Sequence, residues 1–122
     1  MNLIATGLTS FVAILHLGFF YGESFAWSTM GRRFGLSADE VEITRSLAQN
    51  QGAYNGALAG LLIWAMATGN DSAAIAVLVV VALMGVVGAA TASGSILVIQ
   101  TLPAVLAIIA RLLFVAPEIT LS

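Results

Sequence analysis

Four long apolar segments follow one another along the chain, and few polar residues interrupt each of them. Each segment is long enough to cross the ~30 Å hydrocarbon core of a bilayer as an α-helix, which rises ~1.5 Å per residue. Residues 28–44 form a long first connection, whereas Gly69-Asn70-Asp71 and Ser93-Gly94-Ser95 are short links. Because short links join antiparallel neighbours, the pattern predicts an all-α integral membrane protein, a four-helix up-down bundle. This single transmembrane domain, residues 1–122, has spans of approximately Leu3–Trp27, Arg45–Thr68, Ser72–Ser93 and Ile96–Val115.

Helix boundaries are marked by capping residues. Ser37 followed three positions later by Glu40 is a capping box, so the second helix is predicted to begin near Ala38. Gly31 and Gly35 permit the bend before that helix, and Asp71 or Ser72 is expected to cap the third.

The second span has two distinct faces. At ~100° per residue, its amide and phenol groups cover an arc of about 140°, while its glycines fall within about 80° on the opposite side. Small residues permit close helix packing in a membrane, so the glycines are expected to pack on a small-residue surface of the third span or to form a homodimer seam. The polar arc is Asn50, Gln51, Tyr54 and Asn55; the glycines are Gly52, Gly56 and Gly60; the facing surface is Gly85, Gly88, Ala89 and Ala92.

Polar residues also mark the first and fourth spans. Thr9, His16 and Glu23 recur every seven residues and therefore form one stripe, which must face protein or a wet cavity because a charge against lipid costs ~2–3 kcal/mol or more. In the fourth span, Gln100 shares a face with Arg111, and the proline at position 103 is expected to kink the helix beside Gln100.

Antiparallel neighbours bring these polar residues to similar depths. His16 is expected near the level of Asn55, Glu23 near residues 49–51, and Gln100 close to the same layer. The sequence thus predicts a polar intramembrane pocket that opens toward the cytoplasm. Its predicted ligand-binding residues are His16, Glu23, Trp27, Asn50, Gln51, Tyr54, Asn55 and Gln100.

Composition supports a membrane location and narrows the partners. The chain is 60% hydrophobic and 8% charged, with a mean hydropathy of +1.03, whereas soluble domains are about 25% charged. A net charge of −2 without a basic patch argues against nucleic acid as a partner, which leaves the lipid bilayer and a small lipophilic ligand. The absence of cysteine removes thiol chemistry and disulfides.

Charge distribution predicts the orientation. Arg32, Arg33 and Arg45 flank the first connection, which places it in the cytoplasm and both termini outside the cytoplasmic membrane. Met1 leads directly into an apolar stretch without a basic region, so the first segment is expected to be a retained span rather than a signal peptide.

Three functions fit these residues. The first is binding or transport of a small amphipathic or lipophilic ligand, with transport requiring a homodimer. The second is a membrane-embedded enzyme in which His16 and Glu23 are the catalytic acid and base. The third is a structural or partner-binding subunit, in which His16 is a core imidazole, Glu23 reaches water or pairs with an arginine, and the amides only join helices. No metal is expected, because His16 and Glu23 lie ~10 Å apart along the helix, and no cofactor is expected.

Several short motifs recur in a characteristic order along the chain. They are His16, Glu23, Trp27, Arg32-Arg33, Phe34-Gly35-Leu36, Asn50-Gln51-Gly52, Tyr54-Asn55-Gly56, Gly88-Ala89-Ala90-Thr91, Gln100 and Pro103-Ala104. Their order resembles that in the uncharacterised bacterial membrane proteins grouped as domain of unknown function 1304. The resemblance covers nearly the whole chain and implies four spans in the bacterial cytoplasmic membrane, without an assigned activity. The neutral third link departs from relatives, in which it is often basic.

Overall fold

The computed structural model describes residues 2–114, which are mostly helical and contain no strand. This confirms the all-α prediction, while the predicted end of the fourth span at Val115 lies outside the described residues. The π-segment, Leu97–Thr101, directly precedes the last α-helix. The α-helices of the described part are α1 (Leu3–Ser24), α2 (Trp27–Arg33), α3 (Ala38–Ala67), α4 (Asp71–Thr91) and α5 (Leu102–Phe114).

Three helical stretches within residues 2–114 are long and apolar enough to cross a bilayer. They are α1, α4 and the stretch Leu97–Phe114, which joins the π-segment to α5. α3 is the longest helix, at 30 residues, but acidic and amide side chains in its first half lower its hydropathy. The described residues are therefore consistent with a membrane protein.

The chain forms two compact units. The terminal unit contains Met1–Ala13 and Gly60–Ser122, and the central unit contains Ile14–Ala59. Residues 3–13 of α1 and 60–67 of α3 thus belong to the terminal unit, while residues 14–24 and 38–59 of these helices belong to the central unit. The predicted single transmembrane domain stays a prediction.

In the central unit, α1 ends earlier than the sequence predicts. The Tyr21 carbonyl accepts from the backbone N–H groups of both Phe25 and Ala26, which closes the helix after Ser24. Trp27, which the sequence analysis gives as the approximate end of the first span, therefore lies outside α1 and begins the separate helix α2. Apolar composition alone does not distinguish a continuing helix from one that stops and restarts.

The start of α3 agrees with its capping box. The Glu40 N–H donates to Ser37 Oγ at 3.1 Å, and the Ser37 N–H donates to Glu40 Oε2 at 2.8 Å. These reciprocal bonds satisfy two backbone donors at the helix start. Gly35, at φ +90°, provides the predicted bend. Gly31 instead lies within the helix α2, where it packs against Val41 of α3.

The glycines of α3 in the central unit pack on α1 rather than on the third span, which corrects the expectation from the sequence. Gly52 lies against Glu23 and Ser24, and Gly56 lies against the ring of Phe20. As α3 advances from 52 to 56, its α1 neighbours move back from 24 to 20, so the two helix segments are antiparallel.

In the terminal unit, α3 ends and α4 begins around the predicted Gly69-Asn70-Asp71 link. Gly69 has a left-handed φ of +65°, which glycine adopts without steric cost. The Asn70 side chain accepts from the Ala73 N–H at 3.0 Å, so Asn70 is the cap, rather than Asp71 or Ser72 as expected. Leu62, Leu78 and several alanines form the buried core of this unit.

The glycines of α4 pack against the stretch that precedes α5. A side chain at Gly85 would collide with Thr101, and one at Gly88 would press on Ile96. These glycines therefore serve contacts within the terminal unit, not the expected contact with the α3 glycine face. The π-segment lies where the sequence predicts a kink beside Gln100, and Pro103, which follows it, lacks the N–H that a regular helix would use. The kink itself stays a prediction.

We predict that Gly52→Ala destabilises the protein, whereas Gly60→Ala does not. A Cβ at position 52 would lie 2.9 Å from the Ser24 backbone nitrogen, which cannot move freely, so the cost should be about 1–3 kcal/mol. At position 60, a Cβ would have no described atom within 4 Å beyond the neighbouring residues and the backbone of its own helix, and alanine should add up to about 1 kcal/mol of helix propensity. Unfolding in detergent, followed by circular dichroism, measures both; equal effects would contradict the described packing.

Candidate functional site

The central unit joins two of the predicted site residues, Glu23 of α1 and Asn55 of α3. Asn55 Nδ2 donates to Glu23 Oε1 at 2.6 Å, and Asn55 is 7% exposed while Glu23 is half-buried. Ser24 Oγ also donates to the Gln49 carbonyl, at 3.2 Å. Because Gly52 has no side chain, the two helices approach closely enough for these bonds. A carboxylate and an amide are thus paired between helices.

His16 is fully buried and forms an edge-to-face contact with the Phe19 ring at 5.4 Å. It lies one turn of α1 from Phe20, whose ring lies against Gly56. Asn55 therefore lies closer to the level of Phe20 and Glu23 than to that of His16. The expected depth register is shifted by about one turn, because residue counting does not fix where two helices first touch.

The remaining predicted residues of the central unit have different environments. Asn50, Gln51 and Tyr54 are exposed, with Tyr54 63% exposed. Trp27 is half-buried, and its indole Nε1 donates to Thr44 Oγ1 at 3.0 Å. The tryptophan thus holds α2 to α3. Its role in ligand binding stays a prediction, as do the roles of the three exposed residues.

Gln100, the last predicted site residue, lies in the terminal unit. Its Nε2 donates to the Val81 carbonyl at 3.0 Å, and Thr101 Oγ1 donates to the Ala82 carbonyl at 3.1 Å. Both bonds run from the π-segment to α4, at the place where Gly85 permits close approach. The Gln100 amide nitrogen is therefore used in holding these helices together.

The terminal unit also contains a charged cluster that the sequence pattern does not predict. Arg111 of α5, whose side chain is 6% exposed, donates from Nη1 to Asp71 Oδ1 at 2.6 Å. Its Nε donates to Thr9 Oγ1 at 2.9 Å, and the Thr9 hydroxyl donates in turn to the Ala5 carbonyl at 2.8 Å. Thr9 on the polar stripe and Arg111 on a polar face were available signals, but nothing in the spacing connects residues 9, 71 and 111.

A cleft of about 290 Å³ lies beside this cluster. Both members of the ion pair reach it, and both polar and apolar residues complete its wall. Its lining residues are Asn2, Thr6, Ala65, Met66, Gly69, Asp71 and Arg111. Within residues 2–114, no three His, Asp or Glu side chains are grouped as a metal site would require. The Arg111 and Asp71 side chains give the cleft a pair of opposite charges that can also form hydrogen bonds.

We predict that the two members of the buried ion pair differ in their effect on stability. Asp71→Ala should cost about 3 kcal/mol, because it leaves the enclosed Arg111 charge without its carboxylate. Arg111→Met should cost less, since the remaining Asp71 side chain is 29% exposed and can be hydrated. Glu42→Ala, at an exposed pair with Arg45, is the control and should cost under about 1 kcal/mol. Unfolding titrations measure all three, and a larger loss for Arg111→Met would contradict this description.

Comparison with known proteins gives one family and no assigned activity. No curated protein and no solved structure matches the sequence. A family model described as "Protein of unknown function (DUF1304)" matches residues 10–112, a range that includes both polar clusters except Thr9 and Ala5. The match covers most of the chain, which confirms the resemblance seen in the motifs: this chain belongs to the DUF1304 family.

Proposed function

We propose that the protein crosses the membrane four times, with α3 as a span in addition to the three apolar stretches. α3 is about 45 Å long at the standard helix rise, which exceeds the ~30 Å hydrocarbon core. Its central-unit segment runs antiparallel to α1, as a second span would. The short links on either side of α4 favour an up-down order, in agreement with the expected four-helix bundle.

The proposed orientation follows from three exposed or half-exposed arginines. Arg32, Arg33 and Arg45 lie in or beside the connection between α1 and α3. Cytoplasmic loops carry an excess of such residues, so we place this connection in the cytoplasm and both termini outside the cytoplasmic membrane. The residues around Glu23, near the end of α1, would then lie toward the cytoplasmic side.

We propose that the protein binds a small amphipathic or lipophilic molecule at the Glu23–Asn55 pair. The observation that carries this proposal is the half-exposed carboxylate, which accepts the 2.6 Å bond from Asn55 through Oε1. Within the described residues, its other oxygen, Oε2, accepts no bond. An ionisable side chain within a span is costly and usually serves function. Exposed hydrogen-bonding groups at residues 50, 51 and 54 add candidate contacts.

His16 lies seven residues before Glu23 on α1, about two helix turns away, and its role as a ligand contact stays a prediction. Its imidazole is fully enclosed, so the acid–base enzyme alternative gains no support from accessibility. Gln100 as a ligand contact and a homodimer for transport remain predictions.

A second function, a structural or partner-binding subunit, is favoured by the same bond. A direct Glu23–Asn55 contact joins α1 to α3, and such interhelical bonds contribute ~1 kcal/mol or less. Removal of the Glu23 charge distinguishes the two functions: it should abolish binding if the pair holds a ligand, and it should lower stability if the pair only joins helices.

We predict that Glu23→Gln abolishes ligand binding with little loss of stability. The glutamine has the same shape and can still accept from Asn55, but it cannot hold a ligand through a charge-assisted bond. Native mass spectrometry of the full chain, released from its membrane in mild detergent, should show one small-molecule adduct per chain for the unsubstituted protein and none for Glu23→Gln.

Glu42→Gln provides the matched control, because Glu42 is a 73% exposed carboxylate of the same type. It should retain the adduct. An adduct that persists in Glu23→Gln, or its absence from the unsubstituted protein, would contradict the binding proposal. Loss of thermal stability in Glu23→Gln without any adduct in either protein would support the structural function.

A further inference from the structure

The cleft of the terminal unit lies where several helices begin or end. Asn2 directly precedes α1, Gly69 lies between α3 and α4, and Asp71 is the first residue of α4. Arg111 lies one turn before the described end of α5 at Phe114. If α1, α4 and Leu97–Phe114 cross the bilayer, the cleft lies at the level of the lipid headgroups, because spans end at that boundary.

The cleft presents both signs of charge side by side. The Arg111 guanidinium has five N–H donors, of which Thr9 and Asp71 receive two among the described contacts. The remaining N–H groups of Arg111 can donate hydrogen bonds to an anionic oxygen of a ligand. Asp71 uses Oδ1 for Arg111, and its side chain is 29% exposed, so the other oxygen is accessible to a cation.

We propose that this cleft binds the headgroup of a zwitterionic phospholipid that carries a primary amine, as in phosphatidylethanolamine. The lipid phosphate accepts hydrogen bonds from the Arg111 guanidinium, whose planar set of N–H donors fits phosphate oxygens. The ammonium group donates to Asp71. A choline headgroup has no N–H to donate, and a glycerol headgroup lacks the cation.

The size and the surroundings of the cleft fit this ligand class. A volume of about 290 Å³ corresponds to roughly ten waters at ~30 Å³ each, and phosphoethanolamine has about eight non-hydrogen atoms. Apolar side chains at the same helix ends are exposed, with Leu3 83% and Leu113 68% exposed. They provide a surface beside the headgroup for acyl chains.

The test uses the full chain in dodecylmaltoside micelles, titrated with dihexanoyl phosphatidylethanolamine, phosphatidylcholine or phosphatidylglycerol and followed by calorimetry. Phosphatidylethanolamine should bind one per chain and about tenfold more tightly than the other two, since each loses one charge-assisted contact. Arg111→Gln and Asp71→Asn should each weaken its binding about tenfold.

Controls separate binding at this site from a folding defect. Arg45→Gln, at an exposed ion pair, should bind phosphatidylethanolamine like the unsubstituted chain. Thr6→Leu fills the cleft while it keeps the ion pair, so it should abolish binding. This variant tests the site even if Arg111→Gln does not fold.

Three results would overturn the proposal. They are equal affinity for the three lipids, tightest binding of phosphatidylglycerol, which would indicate a simple anion site, and unchanged binding in folded Thr6→Leu. Because Glu23 is absent from the cleft, failure here leaves the function proposed for the Glu23–Asn55 pair unaffected.

Discussion

A polar side chain on a membrane-spanning helix must find a partner, because hydrocarbon offers none. In the proposed four-span topology, this constraint accounts for the two principal polar clusters of the described residues. In the terminal unit, the enclosed Arg111 meets both the Asp71 carboxylate and the Thr9 hydroxyl. In the central unit, Glu23 accepts from Asn55. Each cluster joins helices that are distant in sequence, and each leaves hydrogen-bonding capacity that packing does not use.

Close backbone approach accompanies polar bonds between helices, and glycine permits that approach in both units. Without a hydrophobic drive between helices in lipid, packing depends on small residues and on polar contacts together. Gly52 lets α1 and α3 approach beside Glu23, and Gly85 lets Thr101 reach α4 beside the Gln100 bond. The close contact and the polar bond therefore occur at the same place in each unit.

Local signals predicted local structure well. The Ser37 capping box gives the start of α3, and the polar stripe of α1 correctly predicts that Thr9 and His16 are buried. Pairings between distant helices were not predictable, because hydrophobic periodicity shows which face is polar but not which helix it meets. Arg111 and Asp71 lie 40 residues apart, and only the folded chain joins them. The restart of the helix at Trp27 likewise depends on an indole contact with Thr44 that no spacing rule contains.

The proposed four-span topology requires α3 to be a membrane span, which would place the Glu23–Asn55 pair within the bilayer region. The chain contains no cysteine, so single cysteines report their own accessibility. Ala38→Cys, at the start of α3, and Ser72→Cys, in the first turn of α4, replace small exposed residues on either side of the helix. In sealed vesicles of known orientation, a membrane-impermeant maleimide should label Ala38→Cys only from the cytoplasmic face and Ser72→Cys only from the opposite face. Labelling of both from one face would contradict the account.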